Sequence, residues 1–145
     1  MLRLNAGHLV ETGPLDEATL EADLAVAFLG AVAEPEAGFV LAHAPDAGLD
    51  GPNFRWFAAR MDDFIYVDRV IVAAEARGRG VGRTLYIEVA EAARRAGYRA
   101  VAAEVNIDPP NPGSLAFHER MGFQPVGEAF LADRGKRVRY LRWEL

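Results

Sequence analysis

Glycine and arginine alternate in one short stretch of the chain, which reads Arg77-Gly78-Arg79-Gly80-Val81-Gly82-Arg83. Because glycine has no side chain, it lets the backbone approach a ligand closely and adopt positive φ angles. We predict that a helix begins at Val81, and the first N–H groups of a helix have no partner within it. Such a helix start favours phosphate, and the arginines add charge for a second phosphate. The stretch therefore predicts a diphosphate site; a loop whose glycines only make a turn is the alternative.

Two common phosphate-binding motifs do not fit this stretch. A Walker loop ends in Gly-Lys-Ser/Thr, whereas this chain has Gly82-Arg83-Thr84, and its earlier glycine falls at the wrong distance. A dinucleotide-binding fingerprint has the spacing G-x-G-x-x-G, whereas Gly78, Gly80 and Gly82 give G-x-G-x-G. Neither class of nucleotide-binding protein is predicted.

A second group of polar residues follows in the segment from Asn111 to Phe123. With about 100° of rotation per residue, Asn111, Ser114 and His118 fall on one face of a predicted helix. That helix runs from Pro112 to Met121 and stops at Gly122, a residue that commonly ends helices. The spacing brings an amide, a hydroxyl and an imidazole to one surface.

The elements that position these residues follow from the hydrophobic pattern. Residues 64–72 are rich in β-branched and aromatic side chains and predict a strand, residues 81–96 a helix, and residues 100–105 a buried strand. Strand, helix and strand at this spacing form a βαβ unit, so the two strands should be parallel neighbours. The other predicted elements are a helix over 16–26, a hairpin over 28–33 and 39–43, a loop over 45–53, a short helix around 54–57, and strands over 124–132 and 137–144.

Composition bounds the class of protein. The 145 residues suit one domain, 1–145, and 51% hydrophobic with 26% charged residues is ordinary for a globular protein. There is no cysteine, which excludes disulfides, thiolate metal sites and a cysteine nucleophile. We predict no metal site. No apolar run approaches the roughly 20 residues of a membrane helix, and the N-terminus does not resemble a signal peptide, so a cytoplasmic location and no membrane partner are expected.

Charge is unevenly distributed along the chain. The net charge is −5, which argues against a nucleic-acid partner. Up to Asp68 there are 3 Lys/Arg and 12 Asp/Glu, whereas from Arg69 onward there are 13 and 9. The second part therefore suits an anionic ligand and the first part a cationic one. A solvated surface with uneven charge is the alternative.

The two motifs together resemble the GNAT superfamily of N-acetyltransferases. Arg77, Gly80 and Gly82 match its Arg-x-x-Gly-x-Gly loop for coenzyme A, and the strand over 66–72 precedes that loop as it does in the family. Asn111, Ser114 and the pair Gly122-Phe123 match the helix that follows. The resemblance covers roughly residues 64–123 and implies a mixed α/β fold (α+β), with a central twisted sheet of about six or seven strands flanked by helices.

The resemblance implies a ligand and a set of contacts. Acetyl-CoA would place its diphosphate on the loop 77–83 and its pantetheine arm along the backbone of the strand, by β-augmentation. The family's tyrosine, which often protonates the departing thiolate, is replaced by His118, a departure from the pattern. With an ordinary pKa of about 6.5, histidine can also donate a proton; packing on the arm is the alternative role. The implied cofactor residues are Val70, Ile71, Val72, Arg77, Gly78, Arg79, Gly80, Val81, Gly82, Arg83, Asn111, Ser114, Phe117 and His118.

The acceptor amine must lose a proton before or during its attack. Asp68 lies in the strand where many relatives carry a glutamate that serves as base, and regular alternation would put Tyr66, Asp68 and Val70 on one face. A salt bridge is the alternative role of Asp68, and Glu104 and Asn106 are alternatives for the same work or for holding the acceptor. By analogy with relatives, residues 45–63 line the acceptor end, including Trp56 and Phe57, which can equally be core residues. Tyr66 is assigned to the same end.

The predicted function is N-acetylation of a primary amine by direct attack in a ternary complex. The acidic first part suggests a cationic acceptor, a small molecule or amino acid in preference to a protein. A non-catalytic sensor of coenzyme A or acyl-CoA on the same fold is the alternative, because the usual tyrosine is missing. A homodimer is possible, since dimers are common among relatives.

Overall fold

A computed structural model describes residues 1–145, except for the side chains of residues 34 and 35. Every predicted element is present, with bounds that differ by a few residues at most. Two short N-terminal helices were not predicted. The helices are α1 Leu2–Ala6, α2 Leu9–Thr12, α3 Glu17–Ala25, α4 Glu34–Ala37, α5 Pro52–Ala58, α6 Val81–Arg95 and α7 Pro112–Met121, and a 3₁₀ turn covers Ala74–Ala76. The strands are β1 Leu29–Ala33, β2 Gly38–His43, β3 Phe64–Val72, β4 Ala100–Asp108, β5 Gln124–Leu131 and β6 Lys136–Glu144.

The strands form one six-stranded sheet in the order β1-β2-β3-β4-β6-β5. The pair β3–β4 is parallel, as the βαβ pattern predicts, and the other neighbouring pairs are antiparallel. The predicted mixed sheet of six or seven strands is thus confirmed.

Each face of the sheet carries its own core. On one face, α6 buries Leu85, Val89 and Ala93 against Ile65 and Val101. On the other face, α5 buries Phe54 and Phe57 against Phe64 and Tyr140. This arrangement explains why β3 and β4 have few polar residues in their first halves: strands buried on both faces read as continuous apolar runs.

Among the described residues, no helix has both the length and the apolar character needed to cross a bilayer.

Candidate functional site

The two parallel strands separate after a short region of pairing. In β3 only Phe64–Tyr66 pairs with β4, opposite Ala100–Ala102. Beyond this region β4 continues along β6, and β3 continues along β2. A cavity of about 660 Å³ opens where they diverge, and we call it the interstrand cleft. Its walls include Val70, Ile71 and Val72 of β3. The cleft is therefore bordered by a strand edge that β4 does not cover.

A β-bulge sets the direction of the side chains at this opening. Leu41 of β2 pairs with Arg69, but the next residue, Ala42, pairs with Val67, so Asp68 is the extra residue. Bulges break strand alternation and redirect side chains. The prediction that Tyr66 and Val70 share a face is wrong for this reason: Tyr66 belongs to the α5 core, whereas Val70 packs with Val67 against the α6 core.

The glycine-rich loop forms one end of the interstrand cleft. Gly78 and Gly80 have φ of +73° and +82°, in the left-handed region that favours glycine. Gly80 is the N-cap of α6, so the first amides of that helix have no partner within it. The arrangement has the form of an anion site.

Helix α7 forms the opposite wall. Its N-cap is Asn111, whose side-chain oxygen accepts a hydrogen bond from the Ser114 amide at 3.2 Å. A Cβ built on Gly82 would lie 3.4 Å from the Phe117 ring, so the loop and α7 are in close contact. Of the predicted cofactor residues, only Arg79 lies outside the lining of the cleft, on the exposed surface. The lining includes Val70, Ile71, Val72, Arg77, Gly78, Gly80, Val81, Gly82, Arg83, Asn111, Ser114, Phe117 and His118.

Both ring nitrogens of His118 are engaged. Nδ1 lies 2.7 Å from the Ser114 carbonyl oxygen, which only accepts, so Nδ1 carries the proton. Nε2 then has a lone pair and accepts the hydrogen of the Tyr86 hydroxyl at 2.7 Å. Burial lowers the pKa of His118, which favours this neutral form. In this arrangement His118 has no proton directed into the cleft, and the hydrogen between the two side chains belongs to the Tyr86 hydroxyl, whose pKa burial raises.

A second cavity, of about 650 Å³, adjoins the first, and we call it the flanking cavity. Asp68 and Glu104 line both cavities, so they lie where the two meet. Oε1 of Glu104 accepts hydrogen bonds from Asn53 at 2.9 Å and Tyr66 at 3.1 Å. Oε2 is buried and has no partner among the described residues.

The environment of Glu104 makes it a better base than an ordinary carboxylate. Burial raises its pKa to about 7, and the negative charge of Asp68 adds to the shift, whereas the bonds from Tyr66 and Asn53 oppose it. A general base works best when its pKa is near the working pH. The unpaired Oε2 and the raised pKa together suit proton abstraction.

Asp68, in contrast to Glu104, forms an ion pair with a neighbouring arginine. Its Oδ2 lies 3.2 Å from Nε of Arg69. Burial raises the pKa of Asp68, although the charges of Arg69 and His43 oppose this shift. The salt bridge that the sequence analysis left open for Asp68 is therefore present.

The predicted acceptor residues divide into two groups. Tyr66 lines the flanking cavity, and Asn106 lines the interstrand cleft. Phe57 has no exposed surface and belongs to the α5 core. Trp56 stacks on Tyr140 with ring centroids 4.1 Å apart, and a Cβ on Gly127 would collide with its ring. Neither Trp56 nor Phe57 lines the interstrand cleft or the flanking cavity, and their positions agree with the alternative role as core residues.

The N-terminal helices contribute to both cavities, which sequence reasoning missed. Arg69 donates to Asn5 Oδ1 at 2.9 Å and to the Thr12 carbonyl at 2.8 Å, and Asn106 donates to the Val10 carbonyl at 3.2 Å. Glu11 and Thr12 consequently line both cavities. Residues 1–13 carry no motif, so no signal in the sequence would have placed them over the site.

The sequence model of the Acetyltransferase (GNAT) family matches residues 15–123. The chain belongs to this family. Members of the family use acetyl-CoA. The match to the family model confirms the predicted family independently of the geometry of the cleft.

Solved structures of acetyltransferases share the fold. Nourseothricin acetyltransferase is 28% identical, with a TM-score of 0.57 over 74% of this chain and 57% of that one. Ribosomal-protein-alanine N-acetyltransferase from Brucella melitensis is 26% identical, with a TM-score of 0.56 over 79% and 67%. A further acetyltransferase, 19% identical, covers 99% of this chain and 92% of its own with a TM-score of 0.63.

The present chain thus spans little more than half the length of nourseothricin acetyltransferase. No curated protein matches the chain.

Proposed function

We propose that the protein is an acetyl-CoA-dependent N-acetyltransferase that acts on a primary amine in a ternary complex. The observation that carries the proposal is the placement of Glu104. Glu104, whose Oε2 has no partner among the described residues, lines both the interstrand cleft, with its uncovered strand edge and glycine loop, and the flanking cavity. A cofactor in the first cavity and an amine in the second would meet at this carboxylate.

The residues of the cleft fit coenzyme A in shape and charge. The amides at the start of α6, with Arg77 and Arg83, suit a diphosphate. The uncovered backbone of Val70–Val72 suits an extended arm with amide groups, because it can pair with them as another strand would. When bound, acetyl-CoA supplies an acetyl thioester with a good leaving group.

Glu104 is the proposed base. Its Oε2 would accept the proton of the amine, directly or through one water, while Asn53 and Tyr66 hold the other oxygen in place. Asp68 lies beside it, and its negative charge keeps the pKa of Glu104 high. Asp68 remains the second candidate for the same role.

The Tyr86–His118 pair is the proposed acid, in place of His118 alone. Since Nδ1–H of His118 is held by the Ser114 carbonyl, the other proton of the pair is that of the Tyr86 hydroxyl, which would turn from Nε2 to the departing thiolate. Burial raises the pKa of Tyr86 and so keeps this proton on the hydroxyl until the thiolate departs; the phenolate left behind would then take a proton from solvent. Backbone N–H groups of β3 would stabilise negative charge on the carbonyl oxygen that is attacked. Positioning by the two cavities supplies the rest of the acceleration.

The solved structures that match this chain are named for different acceptors, so the acceptor has to be identified by experiment. One is named for nourseothricin and another for a ribosomal-protein alanine. We propose that the acceptor is a small molecule or an amino acid.

We also propose that the protein is cytoplasmic, has no nucleic-acid partner and forms a homodimer. Gel filtration with light scattering checks the dimer.

The experiment that tests the function combines calorimetry of acetyl-CoA binding with thiol release and mass spectrometry of a panel of amines. The proposal expects one-to-one binding, and amine-dependent release of CoA with an acetylated product 42 Da heavier, about the mass that an acetyl group adds in place of a proton. Tight binding without turnover on any amine would favour the sensor, and absence of binding would contradict both.

A further inference from the structure

The flanking cavity has charges of both signs on its walls. Glu11, Asp68 and Glu104 lie on the side shared with the interstrand cleft. Arg134 and Lys136 line the flanking cavity alone, from the β5–β6 turn and the start of β6. The wall is therefore acidic where it meets the cleft, and the remaining lining carries these two cations beside Asp23 and Asp50.

Lys136 is the basic group with the least compensation. It is half-buried, and it forms no ion pair with any described side chain. Burial lowers the pKa of its ammonium, and the charge of Arg134 lowers that pKa further, whereas Glu104 and Glu11 act in the opposite direction. A desolvated cation beside a second cation would be stabilised by an anion placed between them.

Three other charged side chains of the cavity already have partners. Arg69 is held by Asp68 and by the carbonyl of Thr12, and Asp50 pairs with Arg55 at 3.1 Å. Half-buried Asp23 adds one further negative charge to the lining. Arg134 pairs only with its exposed neighbour Asp133, at 3.8 Å. Among the described residues, Lys136 is therefore the cation of the lining without an ion pair, and Glu104, Glu11 and Asp23 are the acids without one.

We propose that the acceptor is an amine that also carries an anionic group, a carboxylate or a phosphonate, bound by Lys136 with Arg134. The inference rests on the proposed function and narrows its substrate class. An amino acid or a similar zwitterion presents its amine to Glu104 and its acid group to Lys136, so that each charge meets its opposite. A lysine side chain within a polypeptide presents only the amine.

Matched acceptors test the inference. Each set consists of an amino acid, the amine that remains after its carboxylate is removed, and the corresponding aminoalkylphosphonate. We expect the wild-type protein to show at least about tenfold higher kcat/KM for a zwitterion than for the bare amine. The acid group that gives the higher kcat/KM, carboxylate or phosphonate, is the anion that the cavity prefers.

Variants assign the preference to Lys136. Lys136→Met should lower kcat/KM for the zwitterion about tenfold or more, mainly through KM. The bare amine should change much less, since Lys136 acts on that substrate only through its charge near Glu104. Lys136→Arg should keep most of the preference, and Arg137→Met, an exposed neighbour outside the cavity lining, should keep all of it. The affinity for acetyl-CoA should be unchanged in all three.

Two results would overturn the inference while the proposed function stands: equal use of zwitterions and bare amines, or equal losses on both in Lys136→Met. Acetylation confined to lysine peptides would overturn it as well. If no amine is acetylated although acetyl-CoA binds, the proposed function fails first and the inference falls with it.

Discussion

The interstrand cleft and the flanking cavity differ in how their walls are assembled. The cleft is built largely from β3, the loop that follows it and α7, which carry recognisable motifs and offer backbone groups to a ligand. The flanking cavity takes its walls from at least five separated segments and offers mainly side chains. A shared cofactor can be bound by local backbone geometry, whereas an acceptor specific to this protein requires side chains that only the complete fold brings together.

The largest expected effect is a loss of catalysis without a loss of cofactor binding, in a variant of Glu104, where the two cavities meet. Glu104→Gln should lower kcat/KM for the amine by about 10²–10⁴, because the base is lost while the amide can still accept from Asn53 and Tyr66. Steady-state kinetics measures the loss, and calorimetry should find the affinity for acetyl-CoA within about twofold of wild type.

Asp68→Asn is the matched variant for that comparison. A greater loss in Asp68→Asn than in Glu104→Gln would transfer the role of base to Asp68. Activity within a few-fold of wild type in Glu104→Gln would contradict the assignment of Glu104.

The second effect concerns the acid on the cleft side. Tyr86→Phe should lower the single-turnover rate by roughly 10², because it removes the proposed proton donor. It also leaves Nε2 of His118 without its partner. His118→Gln should have the smaller effect, since the Tyr86 hydroxyl remains. The reverse order, with Tyr86→Phe close to wild type, would return the role of acid to His118 itself.

The third effect should fall on acetyl-CoA alone. Gly82→Leu would press on Phe117 and Val72, which line the cleft, and should weaken acetyl-CoA binding by at least about tenfold. Gly82→Ala is the control, because its Cβ would lie 3.4 Å from Phe117, an ordinary contact. Unchanged affinity in Gly82→Leu would show that the loop does not hold the cofactor.

The smallest effect is a pH dependence of stability. Burial raises the pKa of Glu104 from its ordinary 4.5 to about 7, so the folded protein holds this proton more tightly than the unfolded chain. The stabilisation is complete below pH 4.5 and is lost as the pH rises through about 7. Since glutamine does not titrate, Glu104→Gln should gain a few degrees of Tm over wild type between pH 5 and pH 8.

Thermal unfolding at a series of pH values measures this gain. Glu88→Gln, on the exposed side of α6, is the control and should track the wild-type protein. A Tm difference between Glu104→Gln and wild type that stays constant with pH would show that the carboxylate is not desolvated in the folded protein.

The sequence predicted the fold and the cleft far better than the flanking cavity. Helix α6 and strands β3 and β4 have strong local patterns, and the glycines and Asn111 have fixed spacings within single elements. The bulge at Asp68 depends on how β2 pairs with β3, which no local pattern of β3 reveals. For the same reason the regular alternation expected along β3 was wrong.

The contacts made by side chains were harder to foresee. Lys136 and Glu11 reach the flanking cavity from distant parts of the chain. Tyr86 reads as an ordinary core residue of an amphipathic helix, and its bond to His118 appears only when α6 and α7 are in place. The sequence left Trp56 and Phe57 open between the acceptor end and the core. Both pack against Tyr140, Phe57 fully buried and Trp56 half-buried.

Amide hydrogen exchange with and without acetyl-CoA reports directly on the backbone groups that should hold the cofactor. We expect slower exchange at the amides of residues 70–72 and 81–83 when acetyl-CoA is present, with little change on β5 and β6. Binding that leaves the exchange of these amides unchanged, or no binding at all, would contradict this expectation.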